Sequence, residues 1–497
     1  MSVIKMGCMA LVCAIVAWAG LARAAASVSE LPAATTPVVI AQAAAPSMSA
    51  AAMPAAAPPA AASASSAPSA SSAAALTGQT PAAGVPGMTS GPNGIPIGTK
   101  ITMANWQQYQ AFMPDGMVQL FQGALFWKMP PDLEIDIGPT YNYPLPKSYN
   151  DATEQYSAQV RLQKLPNGHW TLTNYVAGRP FPNPQDPDKG QKILADEWFA
   201  YGPHISALSP DSGLGSTCTS DRFGNNNCLK FSAVFRQLDY NTDPGIPRTE
   251  SGAEGAWYTE WLMIEEPEES KYTADLTIFY SDMDKPEGNF IYVPSLRRSL
   301  RLASTARCAP LFSTDFTHDD ERAGFNGGIA TFDATFLRDQ KIIALANLTT
   351  ADGAFPDNYD MPLGFARPSW GAWSVRDTYV LDTRRVATAS KGYCYGKRIM
   401  YVDKNFFHEQ WMDLYDANMK LWKTGMVSFR VRVVPNIGVA ALSSLAFQFW
   451  DLQSDHATYT FTADGAGRDI VINQAVPPQY NNIDRYSTPS GLMQINR

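Results

Sequence analysis

Three groups of residues in this 497-residue chain have types and spacing that bear on chemistry. Asp132, Glu134 and Asp136 alternate with Leu133, Ile135 and Ile137, so on a strand three carboxylates share one face. Carboxylates two residues apart lie roughly 7 Å from each other, inside the broad range used by acid and base pairs in glycoside hydrolysis. The same row is also what an ordinary solvent-facing strand presents. Asp315-Phe316-Thr317-His318-Asp319-Asp320-Glu321 offers oxygens to calcium, but no glycine-punctuated ligand loop accompanies it, and a solvated turn is the plainer expectation. Glu265-Glu266-Pro267-Glu268-Glu269 reads as an exposed loop. The five histidines, His169, His204, His318, His408 and His456, are far apart, and none belongs to a His-Glu-x-x-His or comparable metal motif. There is no Gly-x-Ser-x-Gly elbow, no phosphate-binding Gly-x-x-x-x-Gly-Lys and no dinucleotide fingerprint. The expectation is a protein that is not an enzyme, with no catalytic residue, metal or cofactor.

The N-terminus sets the compartment. Lys5 precedes an apolar run from Met6 to Ala22, and Ala22-Arg23-Ala24 places small residues where a signal peptidase reads. Residues 1–24 are expected to be a cleaved signal peptide, with an uncleaved anchor as the alternative, and the product to be periplasmic. Neither Cys8 nor Cys13 follows the small-residue triplet that lipid attachment needs. Cleavage removes both and leaves Cys218, Cys228, Cys308 and Cys394, an even set that reads as two disulfides in an oxidising compartment. Cys218 with Cys228 closes a short, turn-rich loop and leaves Cys308 for Cys394; the other two connectivities stay open. No Cys-x-x-Cys occurs and no histidine stands at ligand spacing, which counts against zinc. The formal net charge of -8 becomes about two units more negative with the signal gone, which argues against nucleic acid and anionic membrane as general partners.

From Ala25 the chain is nearly all Ala, Pro, Ser and Thr, without a charged residue from Leu31 to Gly91. Such composition buries too little apolar surface to offset its ordering entropy, so residues 25–94 are expected to be a disordered arm, and 95–497 one large domain. Most of the domain alternates. Ala158, Val160 and Leu162 face opposite to Gln159, Arg161 and Gln163 in a strand expected over 156–163. Pro166-Asn167-Gly168 turns it back into Trp170-Thr171-Leu172-Thr173. A similar hairpin spans Thr273 to Tyr280 and Asn289 to Val293, and Arg398 to Val402, Trp411 to Tyr415 and Val427 to Val434 make an antiparallel series. Helices are fewer. One is expected over 106–112 capped by Asn105, one from Pro114 to Gly123, and one over 192–200. The fold class is α+β. Met117, Leu120 and Phe121 fall at helical spacing and continue into Leu125, Phe126, Trp127 and Met129. Large, deformable side chains of this kind line an apolar ligand cavity or fill a core.

Several phrases carry a resemblance: Phe112-Met113-Pro114-x-Gly116-Met117 with Leu120-Phe121-x-Gly123, Met129-Pro130-x-Asp132 leading to Gly138-Pro139-Thr140, and Asn174-Tyr175-x-Ala177-Gly178-x-Pro180-Phe181-Pro182-x-Pro184. Tyr292-Val293-Pro294-x-Leu296-Arg297-Arg298, Asp319-Asp320 with Gly324-Phe325-x-Gly327, and Arg398-x-x-Tyr401-x-Asp403 follow in order. Together they resemble the bacterial family called domain of unknown function 1329, related to periplasmic carriers that sort outer-membrane lipoproteins. The resemblance implies a large, curved, open antiparallel sheet, an incomplete barrel, wrapped around a few helices and leaving a hydrophobic cavity for a lipid or similar small molecule. It also implies work beside an inner-membrane exporter of the resistance-nodulation-division type and an outer-membrane protein. The cavity candidates are then Met117, Leu120, Phe121, Leu125, Phe126, Trp127 and Met129. Two rival readings are a scaffold joining inner- and outer-membrane machinery and an enzyme or binding module for envelope glycans.

Overall fold

The computed structural model describes residues 89–303, 307–322, 324–348, 355–434, 437–462 and 468–495. The expected signal segment and residues 25–88 of the arm lie outside the described residues. Fifteen strands form one sheet: β1 (Ile205–Leu208), β2 (Gly215–Asp221), β3 (Asn226–Gln237), β4 (Ala256–Glu266), β5 (Ala274–Tyr280), β6 (Gly288–Val293), β7 (Arg298–Arg301), β8 (Phe332–Leu348), β9 (Gly371–Arg385), β10 (Lys397–Asp403), β11 (Glu409–Tyr415), β12 (Leu421–Val434), β13 (Gly438–Asp451), β14 (His456–Phe461) and β15 (Val471–Ile472). They run in the order β7-β6-β5-β4-β3-β2-β14-β13-β12-β11-β10-β9-β8, with β1 on β3 and β15 on β1. Neighbours pair antiparallel, and β7 and β8 do not pair with each other, so the sheet stays open.

The sheet curls around one helix, which packs on the end strand β8 and on β4 and β5 in the other half of the strand order. Three α-helices precede the sheet: α1 (Asp115–Gln122), α2 (Lys147–Tyr156) and α3 (Lys189–Trp198). Gly190 of α3 lies so close to β8 that a Cβ there would come within 2.4 Å of the Ala334 carbonyl and the Phe336 amide. At the other end of α3, Trp198 packs on Trp257 of β4 and Phe279 of β5, with ring centroids 5.2 and 5.4 Å away. Strands from the two halves of the sheet order therefore meet one short rod, and the sheet must bend around it.

Alternation then divides the strands between two cores. Met400, Val402, Met412, Leu414, Val427, Phe447 and Phe449 point to the inner side, where they meet α3, Phe316 and Phe325. Tyr401, Trp411, Met426 and Trp450, each next to one of those in sequence, point outward with Tyr459 onto α1 and the segment around Trp127 and Met129.

The expected hairpins are present. Arg161–Lys164 pairs with Trp170–Thr173 around Gly168 at φ 84°, and β5 pairs with β6. α1 starts directly after Pro114 and ends at Gly123 in the left-handed region, as its flanking residues predict. Three expectations are corrected. The strand expected from 156 begins only at Arg161, because Tyr149, Ala152 and Thr153 bury one face of helix α2 through Tyr156. Asn105 does not cap the short 3₁₀ helix Trp106–Phe112; its Oδ1 accepts from the Thr102 amide at 2.8 Å instead. The third helix runs Lys189–Trp198 rather than 192–200.

The cysteines pair as Cys218–Cys228 and Cys308–Cys394. The first joins residues already facing each other across β2 and β3, whereas the second closes a span of 86 residues. A longer closed loop removes more chain entropy from the unfolded state. Replacing Cys308 and Cys394 by Ser is therefore expected to cost about 2–5 kcal/mol and to lower the melting temperature more than the same change at Cys218 and Cys228, which paired thermal melts would measure.

Candidate functional site

The inner side is held by a buried ionic frame that no short motif announces. Asp319 receives Arg307, Arg385 at 3.0 Å and the Tyr393 hydroxyl at 2.7 Å. Asp320 receives Arg398 and the Tyr395 hydroxyl, and accepts from the Thr317 amide at 2.8 Å. Asp315 accepts from His456 and from the Thr458 hydroxyl at 2.7 Å. The expectation of a solvated turn at residues 315–321 is corrected: Asp315, Asp319 and Asp320 are buried and spent on cations and hydroxyls, and the half-buried Glu321 pairs with His318. Among the described residues no group of three His, Cys, Asp or Glu side chains stands ready to hold a metal ion. A second brace comes from the Asn174 to Pro184 phrase. Gly178 lies against Thr153, where a Cβ would come within 2.5 Å of a backbone nitrogen, and the Phe181 amide donates to Asp196 of α3 at 2.7 Å.

Between this frame and the inner face of the sheet lies a cavity of about 260 Å³. Its walls include Leu229, Phe231 and Phe235 of β3, Leu262 of β4, Phe447 of β13, and Phe316, Ile470 and Ile472. Thr217 and Thr460 carry the wall across β2 and β14 and satisfy each other's hydroxyls at 3.1 Å. One end is different. Glu197, Glu260, Asp275, Glu321, Arg322 and His408 also line the cavity. Arg322 is fixed over the rings of Trp198, Trp257 and Tyr258 at 4.3, 5.0 and 5.0 Å and donates to the Trp198 carbonyl at 3.0 Å. A second hollow of about 670 Å³ opens on the far side of Trp198 and Trp257, but Asp284, Lys285, Glu287, Arg307, Arg385 and Lys391 make it a charged cleft.

Burial dominates the titration of the polar end. It pushes Glu197 up to about 8 against the pull of Arg322 and Arg398, and Asp275 up to about 7 with help from the Glu321 charge. Glu260 is raised by burial and by Glu321. His408 is held down at about 3 by burial and by Arg322 and Arg179, so it is neutral. Burial works against the charge of His318, yet its bond to the Glu321 carboxylate at 3.1 Å outweighs that and holds the imidazole up at about 9.

These directions make stability fall with alkalinity. Glu197 and Asp275 keep protons in the folded chain that the unfolded chain releases near 4.5 and 3.8. The folded state therefore binds more protons between those values and about 8, and it is weakened as pH rises through that window. His318 acts in the same sense: its contribution is present below 6.5 and lost as pH passes about 9. Asp319 is opposite, since burial opposes its charge but Arg307 and Arg385 hold it well below the usual range, so its contribution disappears in acid. The melting temperature is expected to peak near about pH 5 and to decline toward about pH 9, with Glu197→Gln flattening the alkaline side of the melt series.

The residues expected from the sequence lie elsewhere. Met117, Leu120, Phe121, Trp127 and Met129 are fully buried in the outer core, and Leu125 and Phe126 are half-buried against it. None of the seven is among the residues lining either hollow. Glu134 and Asp136 stand on the exposed face of the short strand Glu134–Asp136, where Lys100 bridges them, and Asp132 is exposed in the preceding turn. The carboxylates behind the glycan-enzyme reading thus stand on an exposed face, two of them bridged by Lys100. The Arg398-x-x-Tyr401-x-Asp403 phrase, by contrast, serves both faces: Arg398 enters the inner frame, the Tyr401 hydroxyl accepts from the Asp115 amide of α1 at 3.3 Å, and Asp403 pairs with Arg376. The alternation of β3 and β4, with Phe231, Phe235 and Leu262 on one face, is the signal in the sequence for the wall of the inner hollow.

The architecture is an open, curled antiparallel sheet beside an apolar hollow with a polar end. Residues 100–492 match the family model described as protein of unknown function (DUF1329), and the chain belongs to that family. Similar solved structures include a DUF1329 family protein from Desulfovibrio piger, 13% identical, covering 61% of this chain and 100% of its own, TM-score 0.40. A domain described as an outer-membrane lipoprotein-sorting protein from Vibrio parahaemolyticus is 14% identical over 59% of this chain and 96% of its own, TM-score 0.40. A LolA-superfamily protein from Nitrosomonas europaea is 14% identical over 59% and 98%, TM-score 0.35. A comparison with curated proteins found no match.

Proposed function

We propose that this protein carries a hydrophobic small molecule or lipid in the inner cavity, in an exported compartment. The carrying observation is the continuous apolar wall formed by Leu229, Phe231, Phe235, Leu262, Phe316 and Phe447 within an open sheet. A ligand that hides about 300 Å² of apolar surface there gains about 7 kcal/mol before the cost of association. Two disulfides agree with an oxidising location, and no helix of the described residues is long and apolar enough to cross a membrane. In this reading residues 1–24 direct export, 25–88 act as a tether, since Thr89–Gly91 already pairs with Thr140–Asn142 and Asn93 bonds to Val375, and the donor or acceptor is membrane machinery such as an inner-membrane exporter and an outer-membrane protein. Met117, Leu120, Phe121, Trp127 and Met129 form the layer that backs the sheet, and the ligand is held on its other side.

Gentle purification followed by mass spectrometry of whatever is released on denaturation tests the reading. A stoichiometric hydrophobic compound, absent from a Phe235→Asp variant, is the expected result. An empty protein that also takes up none of a panel of lipids would overturn it.

A further inference from the structure

The cavity is not uniformly oily, and its polar end specifies a head group. Glu197 and Glu260 are only 6% and 8% exposed, and both line the hollow together with Asp275 and Glu321. Glu260 accepts a single long bond from the Asn326 side chain at 3.3 Å, and Glu197 Oε2 has no hydrogen-bond partner. A buried carboxyl without a partner is costly, so its retention in a wall otherwise built from leucine and phenylalanine needs an occupant.

Resting on the carrier reading, we propose that the cavity binds an amphiphile with a protonated amine, the ammonium seated among Glu197, Glu260 and Asp275 and the alkyl portion along β3 toward β13. The register supports this layout. Glu260 faces Phe235 across the β4–β3 ladder, and Asp275 faces Leu262 across β4–β5, so the carboxyls border directly on the apolar wall. From β3 through β2 and β14 to β13 is three strand spacings, about 14 Å of continuous wall at about 4.8 Å each. Arg322 shares this end and pulls Glu197 and Glu260 down, but burial outweighs it at both carboxyls, and its guanidinium is held away on three aromatic faces and the Trp198 carbonyl, with Nη1 unpaired. Among the other charged neighbours, Glu321 is paired with His318, Arg398 is paired with Asp320, and His408 is uncharged; Glu409, beside Arg398 and outside the lining, is pushed well above the usual carboxylate range by burial and adds no charge. An arriving ammonium ionises carboxyls that burial keeps protonated, so binding of the amine releases protons to solvent, while an alcohol of the same length releases none.

The test uses the mature full chain, a neutral apolar fluorescent probe, and displacement by dodecylamine, dodecanol and dodecanoate below their aggregation limits at about pH 7. The amine is expected to displace the probe at concentrations at least about tenfold lower than the other two, and its binding enthalpy to vary with the ionisation enthalpy of the buffer. In the Glu197→Gln, Glu260→Gln, Asp275→Asn triple variant, with its fold checked by circular dichroism, the amine-to-alcohol ratio should fall to near one. Alcohol or acid binding as tightly as the amine, or a preference that survives the triple substitution, would overturn the head-group assignment while leaving the carrier reading intact. If none of the three displaces the probe, the carrier reading falls and this assignment with it.

Discussion

Arg398→Met is expected to destabilise the domain by about 3–5 kcal/mol, the range for removing one partner of a buried ion pair. The guanidinium is almost completely buried and does three things at once. It pairs with Asp320, donates to the Gly324 carbonyl at 2.6 Å, and reaches the Asp319 carbonyl at 3.3 Å. Methionine fills part of the space but leaves Asp320 charged in a site with no solvent, and it frees the turn that carries Phe325 into the inner core. Most of the loss is the cost of the orphaned carboxylate, not the worth of the pair. The double change Arg398→Met, Asp320→Leu should therefore recover a large part of it. Denaturant midpoints of the two single variants and the double variant measure this. A double variant no better than its worse parent would show that the network, and not the stranded charge, dominates.

Leu262→Trp is expected to weaken binding of a hydrophobic ligand by about 100-fold, equivalent to about 3 kcal/mol, with the melting temperature of the empty protein unchanged or raised. Leu262 sits on the inner wall, half-buried, facing Ala233 on β3 and Asp275 on β5. A larger apolar side chain at that point occupies the hollow itself. Filling a pre-existing void adds contacts without the overpacking penalty that a dense core would impose. Loss of binding together with retained stability is the signature that separates a ligand cavity from an imperfection in packing. A variant that unfolds instead would mean that the space around residue 262 is already occupied by protein.

Much of the architecture was legible because alternation is a local property. The β5–β6 hairpin and the β10, β11, β12 series announce themselves by period-two patterns and turn residues, and α1 by Pro114 and Gly123. Helix α2 was not, because its buried set of Tyr149, Ala152 and Thr153 is small and half polar, so tertiary packing and not hydrophobic periodicity decides it. The placement of the apolar segment is not legible for a related reason. Phe121 and Trp127 have the composition of a cavity wall, but a packed core, where the structure puts them, selects the same side chains, and sequence does not say on which side of a sheet a segment will lie. The acidic run at 315–321 is hidden differently: its partners Arg385, Arg398, Tyr393 and Tyr395 are 66 to 78 residues downstream, so a charged segment that looks solvated locally is neutralised by the fold.

The alternation of β10 to β14 between an outer and an inner core has a consequence for how this protein can change. Adjacent codons answer to separate packing demands: Trp411 and Tyr401 to the outer core, Met412 and Met400 to the inner one. Under the proposed carrier function, ligand preference would drift through every second residue of a strand while the intervening residues stay fixed. A saturation library scored in parallel for abundance and for uptake should show the two traits out of phase along the same few strands.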